Sequence, residues 1–154
     1  MMKVIARLIE EQLDPAAEYD ALMADCGGAG AAVTFVGIAR SETRAGEPVN
    51  GLHLESHPRL TSTSLQEIAR DGANRFAVTV VRIAHRHGDI RPGEAIVFVG
   101  TASAHRRAAF EAADYLMDRL KTEAVFWKRE DADTGSSWIE PTSEDREARA
   151  RWSN

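Results

Sequence analysis

A chain of 154 residues, 44% hydrophobic and 28% charged, has the size and balance of one globular domain and excludes an intrinsically disordered one. Its net charge of −5, from 19 Lys and Arg against 24 Asp and Glu, argues against a general nucleic-acid binder but leaves room for a local basic pocket. One cysteine, Cys26, rules out an intramolecular disulfide and suits a reducing cytoplasm; no apolar run is long enough for a membrane span, and charges interrupt the first residues too early for a signal peptide.

Residues 3–10 alternate loosely and predict a strand. Asp14 and Pro15 predict a helix start, as N-cap and first helical residue, with the helix running to about Asp25 and a turn over 27–30. The apolar run 31–39 predicts a buried strand, and the polar stretch 40–50 a loop long enough to move. A short strand over 51–57 stops at Pro58, and a helix follows over 61–76. Residues 78–87 and 94–101 predict two strands around a turn over 89–93 that contains Pro92 and Gly93. Ser103 is expected to cap a helix running to about Lys121, with Phe110, Ala113, Met117 and Leu120 on its inner face. Strands over 125–130 and 136–140 flank a turn, and Ser143 is expected to cap a last helix over 143–152. The order predicts a single α+β domain over 1–154, with a mixed or antiparallel sheet and three to four helices.

Three groups of residues can carry chemistry. Ser103-Ala104-His105-Arg106-Arg107 places cations where a helix start already carries partial positive charge, an arrangement that suits a bound anion; alternatively the arginines stand in water, paired with acids such as Glu111. Lys121 ends a helix, where a cation suits the dipole, whereas Lys128 follows two large aromatics. Partial desolvation there would lower its pKa and fit it for acid–base or nucleophilic work; the alternative has Trp127 inward and Lys128 in water. Arg40 stands where a buried strand opens into a loop, a common functional position. His53, Glu55 and His57 on one strand face, and His85 with His87 on another, lack the spacing of familiar zinc motifs, so no metal site is expected. Cys26 has no basic activator nearby in sequence and is expected to be a small buried apolar residue.

Val33-Thr34-Phe35-Val36-Gly37, Ile96-Val97-Phe98-Val99-Gly100, Ser103-Ala104-His105-Arg106 and the block from Lys121 to Glu130 (KTEAVFWKRE) stand in that order. Together they resemble the large, catalytic subunit of molybdopterin synthase, over about residue 30 to Trp152. The resemblance implies an α/β-hammerhead-like fold and a sulfurtransferase without metal or cofactor. Such an enzyme converts cyclic pyranopterin monophosphate into molybdopterin by inserting two dithiolene sulfurs. The sulfur arrives as a thiocarboxylate on the C-terminal glycine of a small ubiquitin-like partner subunit, in a heterotetramer built on a homodimer of large subunits. Lys121 and Lys128 match the family's active-site lysines: Lys121 beside the thiocarboxylate tail as general acid or charge stabiliser, Lys128 holding the pterin and sharing the proton work. Arg40, His105 and Arg106 match positions that bind phosphate or pterin.

The chain departs from the pattern at three places. Val125 stands where the family usually has Pro, and Ser41 follows Arg40 where it has Asn. Thr142 lies in the region of an arginine that, in some members, reaches the neighbouring subunit's site; Arg146 is its nearest substitute. Two other readings stay open on the residues alone: a non-catalytic phosphate- or nucleotide-binding module, and a scaffold for a ubiquitin-like tail.

Overall fold

The computed structural model describes residues 2–153. Strand β1 (Lys3–Ile9) leads to helix α1 (Pro15–Ala24), whose start is set locally. Asp14 Oδ1 accepts the N–H groups of Ala16 and Ala17 at 3.0 and 3.3 Å, and Pro15 sits where a helix has no use for an N–H. Then come β2 (Ala31–Ile38), β3 (Val49–Ser56), α2 (Pro58–Arg75), β4 (Val78–Arg86), β5 (Gly88–Ile90) and β6 (Ala95–Ser103). Helix α3 (Arg106–Glu123), β7 (Phe126–Ala132), β8 (Gly135–Ile139) and α4 (Ser143–Ala150) complete the chain.

The α+β class is as expected, but the strands form two four-stranded sheets, ordered β1-β4-β6-β2 and β5-β3-β7-β8. β1 and β4 run parallel; the other pairings are antiparallel. The polar stretch after β2 carries the chain between the sheets as a small hairpin, with Glu42 bridged to Pro48, so it is more ordered than a plain loop.

Helices α2 and α3 cover one face of the first sheet, burying Leu65, Ile68, Ile83, Val99 and Leu116 together. Each such side chain contributes about 1.5–3 kcal/mol. The helices meet at Gly72, where an added Cβ would lie 2.7 Å from a Leu116 methyl. Helix α1 covers the other face, with Leu22 against Val80, Phe98 and Ala102. It is pinned by the buried Glu18, which pairs with Arg82 at 2.6 Å and with Arg7. The second sheet turns Leu52, Leu54 and Ile90 inward, and Phe126 packs on both this cluster and the α2–α3 core.

Five local expectations are corrected. β2 is not a buried strand: it is a sheet edge bonded only to β6, leaving Phe35 and Ile38 exposed. Pro58 does not merely end a strand but opens α2, with His57 Nδ1 accepting the Leu60 N–H at 3.1 Å. Residues 88–90 form β5, because they pair with Leu52–Leu54 rather than only turning. Ser103 does not cap α3, since its hydroxyl donates to the Ala77 carbonyl at 2.7 Å; His105 is the N-cap, without a side-chain hydrogen bond. Finally, α3 buries Ala109, Ala112, Ala113, Leu116 and Leu120, and Phe110 points outward.

Candidate active site

Strand β7 decides which way the aromatic–lysine block faces. Alternation puts Phe126, Lys128 and Glu130 on one face and Trp127, Arg129 and Asp131 on the other. Phe126 is drawn into the core, so Lys128 is half-buried beside it and Trp127 is left exposed. The start of β7 is fastened to α2. Thr61 Oγ1 donates to the Val125 carbonyl at 2.5 Å, and the Val125 N–H donates to Ser64 Oγ at 3.2 Å. A proline at 125 would lack the second bond. Valine therefore ties this turn to the neighbouring helix.

Burial lowers the pKa of Lys128, and the positive charge of Arg40 lowers it further. Lys121 acts in the same direction, while Glu130 and Asp145 oppose. Arg40, just after β2, and Lys121, in α3, thus both act electrostatically on Lys128 in β7. Lys121, in the last turn of α3, has its Nζ 3.6 Å from Asp145 Oδ1. Asp145 and its cap partner Thr142 begin α4. Thr142 Oγ1 accepts the Asp145 N–H, and Asp145 Oδ2 accepts the Thr142 N–H, both at 3.0 Å. Thr142, not Ser143, is therefore the cap of α4, and Arg146 is exposed on that helix.

His85, at the end of β4, stacks on Phe126 with ring centroids 4.2 Å apart. Its Nδ1 lies 2.9 Å from the Arg86 carbonyl, which makes Nδ1 the protonated nitrogen. Burial pushes the His85 pKa down to about 4; the Arg86 carbonyl opposes this, and the charges of His87 and Lys128 reinforce it. Between the ordinary value of about 6.5 and about 4 the unfolded chain binds a proton that the folded chain refuses. His85 thus stabilises the fold fully above pH 6.5 and loses that share, about 3 kcal/mol, as pH falls toward 4. Urea unfolding across this range should show the slope in the parent and a shallower one in His85→Phe.

His105 and Arg106 lie elsewhere. With Gly30, Ala104 and Arg107 they line an open cleft of about 490 Å³ at the start of α3. No acidic residue sits in the first turn, and among the described residues no carboxylate pairs with Arg106 or Arg107, Glu111 included. Free helix N–H groups and two cations together make an anion-attracting end. At about 1.5 Å per residue, Arg106 and Lys121 stand about 22 Å apart along α3. The structure brings Arg40 and Lys121 within electrostatic reach of Lys128, and does not bring His105 and Arg106 to them within one chain.

The other candidates have local roles. His53 Nδ1 pairs with Asp89 at 2.8 Å, His57 caps α2 and His87 meets Ser56 Oγ at 3.1 Å. Cys26 is half-buried rather than fully buried, and its thiol donates to the Leu22 carbonyl. Burial and the Asp25 charge raise its pKa, which disfavours the thiolate. Sequence reasoning missed Asp145, and weighed His85 only as a metal ligand. Only the Thr-x-x-Asp capping spacing at 142–145 could have pointed to the former.

Comparison with known proteins identifies the family. The model of the MoaE protein family matches residues 8–123. The molybdopterin synthase catalytic subunit of Caulobacter vibrioides is 48% identical over 149 residues, covering 97% of each chain. The solved molybdopterin biosynthesis MoaE protein from Burkholderia ambifaria superposes with a TM-score of 0.81 at 36% identity, over 98% of this chain and 99% of that one. A complex of subunits 1 and 2 of molybdopterin-converting factor from Helicobacter pylori shares the fold, with a TM-score of 0.73 at 21% identity over 90% of this chain and 92% of that one. By the family match and by an end-to-end relative at 48% identity, the chain belongs to the MoaE protein family.

Proposed function

We propose that this chain is the catalytic subunit of a molybdopterin synthase. It converts cyclic pyranopterin monophosphate into molybdopterin with sulfur from the C-terminal thiocarboxylate of a small ubiquitin-like subunit. The observation that carries the reading is the half-buried Lys128, whose pKa is lowered by burial and by the charges of Arg40 and Lys121. In each transfer the thiocarboxylate sulfur bonds to a pterin side-chain carbon as a carbon–oxygen bond there breaks and its oxygen leaves with a proton; water then hydrolyses the resulting thioester, which returns the glycine as a carboxylate and leaves the sulfur on the pterin. Lys128, part of whose population is a neutral amine nearer neutral pH than for an ordinary lysine, moves the proton. Lys121 stands beside the tail and stabilises the negative charge that develops on its carbonyl oxygen. Arg40 offers the substrate a planar fork.

The gap of about 22 Å along α3 is longer than one pyranopterin phosphate can span. We therefore assign His105 and Arg106 to the pocket of a second copy, in a homodimer that carries a small subunit on each side. That the Helicobacter pylori protein of this fold was solved as a two-subunit complex supports the small partner. No helix among the described residues is long and apolar enough to cross a membrane. A single cysteine and a phosphorylated small-molecule substrate fit a cytoplasmic enzyme.

Reconstitution tests the reading. The purified chain, a thiocarboxylated small subunit and the cyclic pterin phosphate should yield a dithiolene product, read as its fluorescent oxidation derivative. Binding of the small subunit without any product would instead favour the scaffold.

A further inference from the structure

We propose that Asp145 is a positioning residue for Lys121: its carboxylate, locked by the capping box of α4, holds the lysine ammonium in place within electrostatic reach of Lys128. This rests on the reading of Lys121 as part of the sulfur-transfer site. The two oxygens of Asp145 have separate tasks. Oδ2 accepts the Thr142 N–H at 3.0 Å, and Oδ1 faces Lys121 Nζ at 3.6 Å. The cap fixes the carboxylate's rotation, so the second oxygen is aimed at the lysine rather than finding it by chance.

Helix α4 is itself held rigidly on α3. Arg149 pairs with Glu123 at 2.9 Å, and Arg151 with Asp118 at 3.0 Å. Trp152 Nε1 donates to Asp118 at 2.7 Å, with its ring edge-on to Phe76 and Tyr115. The helix that presents Asp145 is thus anchored to the helix that presents Lys121. Lys121 needs such a partner because its side chain is 52% exposed and has four rotatable carbons. Burial pushes the Asp145 carboxyl up, but the Thr142 N–H and the Lys121 charge outweigh it and hold the group below the usual carboxylate range. Asp145 is therefore an anion at neutral pH, and its charge opposes those of Arg40 and Lys121 at Lys128.

Asp145→Asn separates the two tasks, because the amide oxygen still accepts the Thr142 N–H while the charge is gone. Acetic anhydride labelling, quantified by mass spectrometry with Lys3 as internal reference, reads the freedom of Lys121 without any turnover. In Asp145→Asn we expect Lys121 to label about threefold faster. In the reconstituted enzyme kcat should fall about tenfold at little changed KM, with thermal stability near that of the parent. Labelling and kcat both at parent values in Asp145→Asn, with only Asp145→Ala losing stability, would overturn the proposal and leave Asp145 a helix cap. Should the parent chain yield no product, that counts against the sulfur-transfer reading alone, and the labelling rate still decides on Asp145.

Discussion

Lys128→Ala is expected to reduce dithiolene formation at least about a hundredfold while small-subunit binding stays intact. The residue is half-buried on the inward face of β7, beside Phe126, so alanine removes the group without disturbing the outward Trp127 or the strand pairing to Leu54 and Ile139. Lys128→Arg should not rescue, because a guanidinium stays charged and cannot take or give the proton. Arg40→Gln sharpens the test. Arg40 holds the Lys128 pKa down, so its removal lets that pKa rise. Whichever limb of the kcat–pH profile Lys128 governs must then move to higher pH. A profile that stays put in Arg40→Gln, or a Lys128→Ala enzyme at parental rate, would remove Lys128 from the proton work.

Gly30→Ala should be the most damaging single-methyl change near the second cluster. A Cβ built there would lie 2.3 Å from the Ala104 carbonyl oxygen, a backbone atom with no rotamer to escape into. Gly30 is also bound to this segment, its N–H donating to the Ser103 carbonyl at 3.0 Å. In open space such a substitution stabilises by about 0.4–1 kcal/mol through the unfolded chain. Here the clash dominates, and a loss of about 3 kcal/mol is expected in urea unfolding. The backbone that must yield is the one carrying His105 and Arg106, so phosphate affinity should weaken together with stability. Loss of stability alone, with unchanged binding of the pterin phosphate, would separate this cleft from the substrate.

Elements set by neighbouring residues were readable in advance. Asp14 with Pro15 starts α1 whatever lies around it, and the turn before Gly135 joins two antiparallel strands as its composition suggests. Misjudgements arose where a distant partner competes. Ser103 has the composition of a cap, but Ala77, far away in sequence, takes its hydroxyl. Phe110 fits a helical apolar stripe, yet the true stripe is rotated by one position onto small alanines, which let α3 approach β6 and α2 closely. The two aromatics before Lys128 and the family resemblance of the block from Lys121 marked both lysines, but that the charge of Arg40 reaches Lys128 depends on the fold and could not be read locally. Nothing in the local sequence says that His85 will stack on Phe126, because that contact joins residues of different sheets.

The length of α3 has a genetic consequence. If one end of the helix serves its own pocket and the other end a neighbour's, the two kinds of dead variant are not equivalent. A chain lacking Lys128 still lends a sound Arg106, and a chain lacking Arg106 still owns a sound Lys128. Mixed and allowed to exchange, the two inactive proteins should form hybrid pairs in which one pocket has both defects and the other has none. Half the pairs are hybrids at equal mixing, so roughly a quarter of the parental activity should return from two preparations that have none.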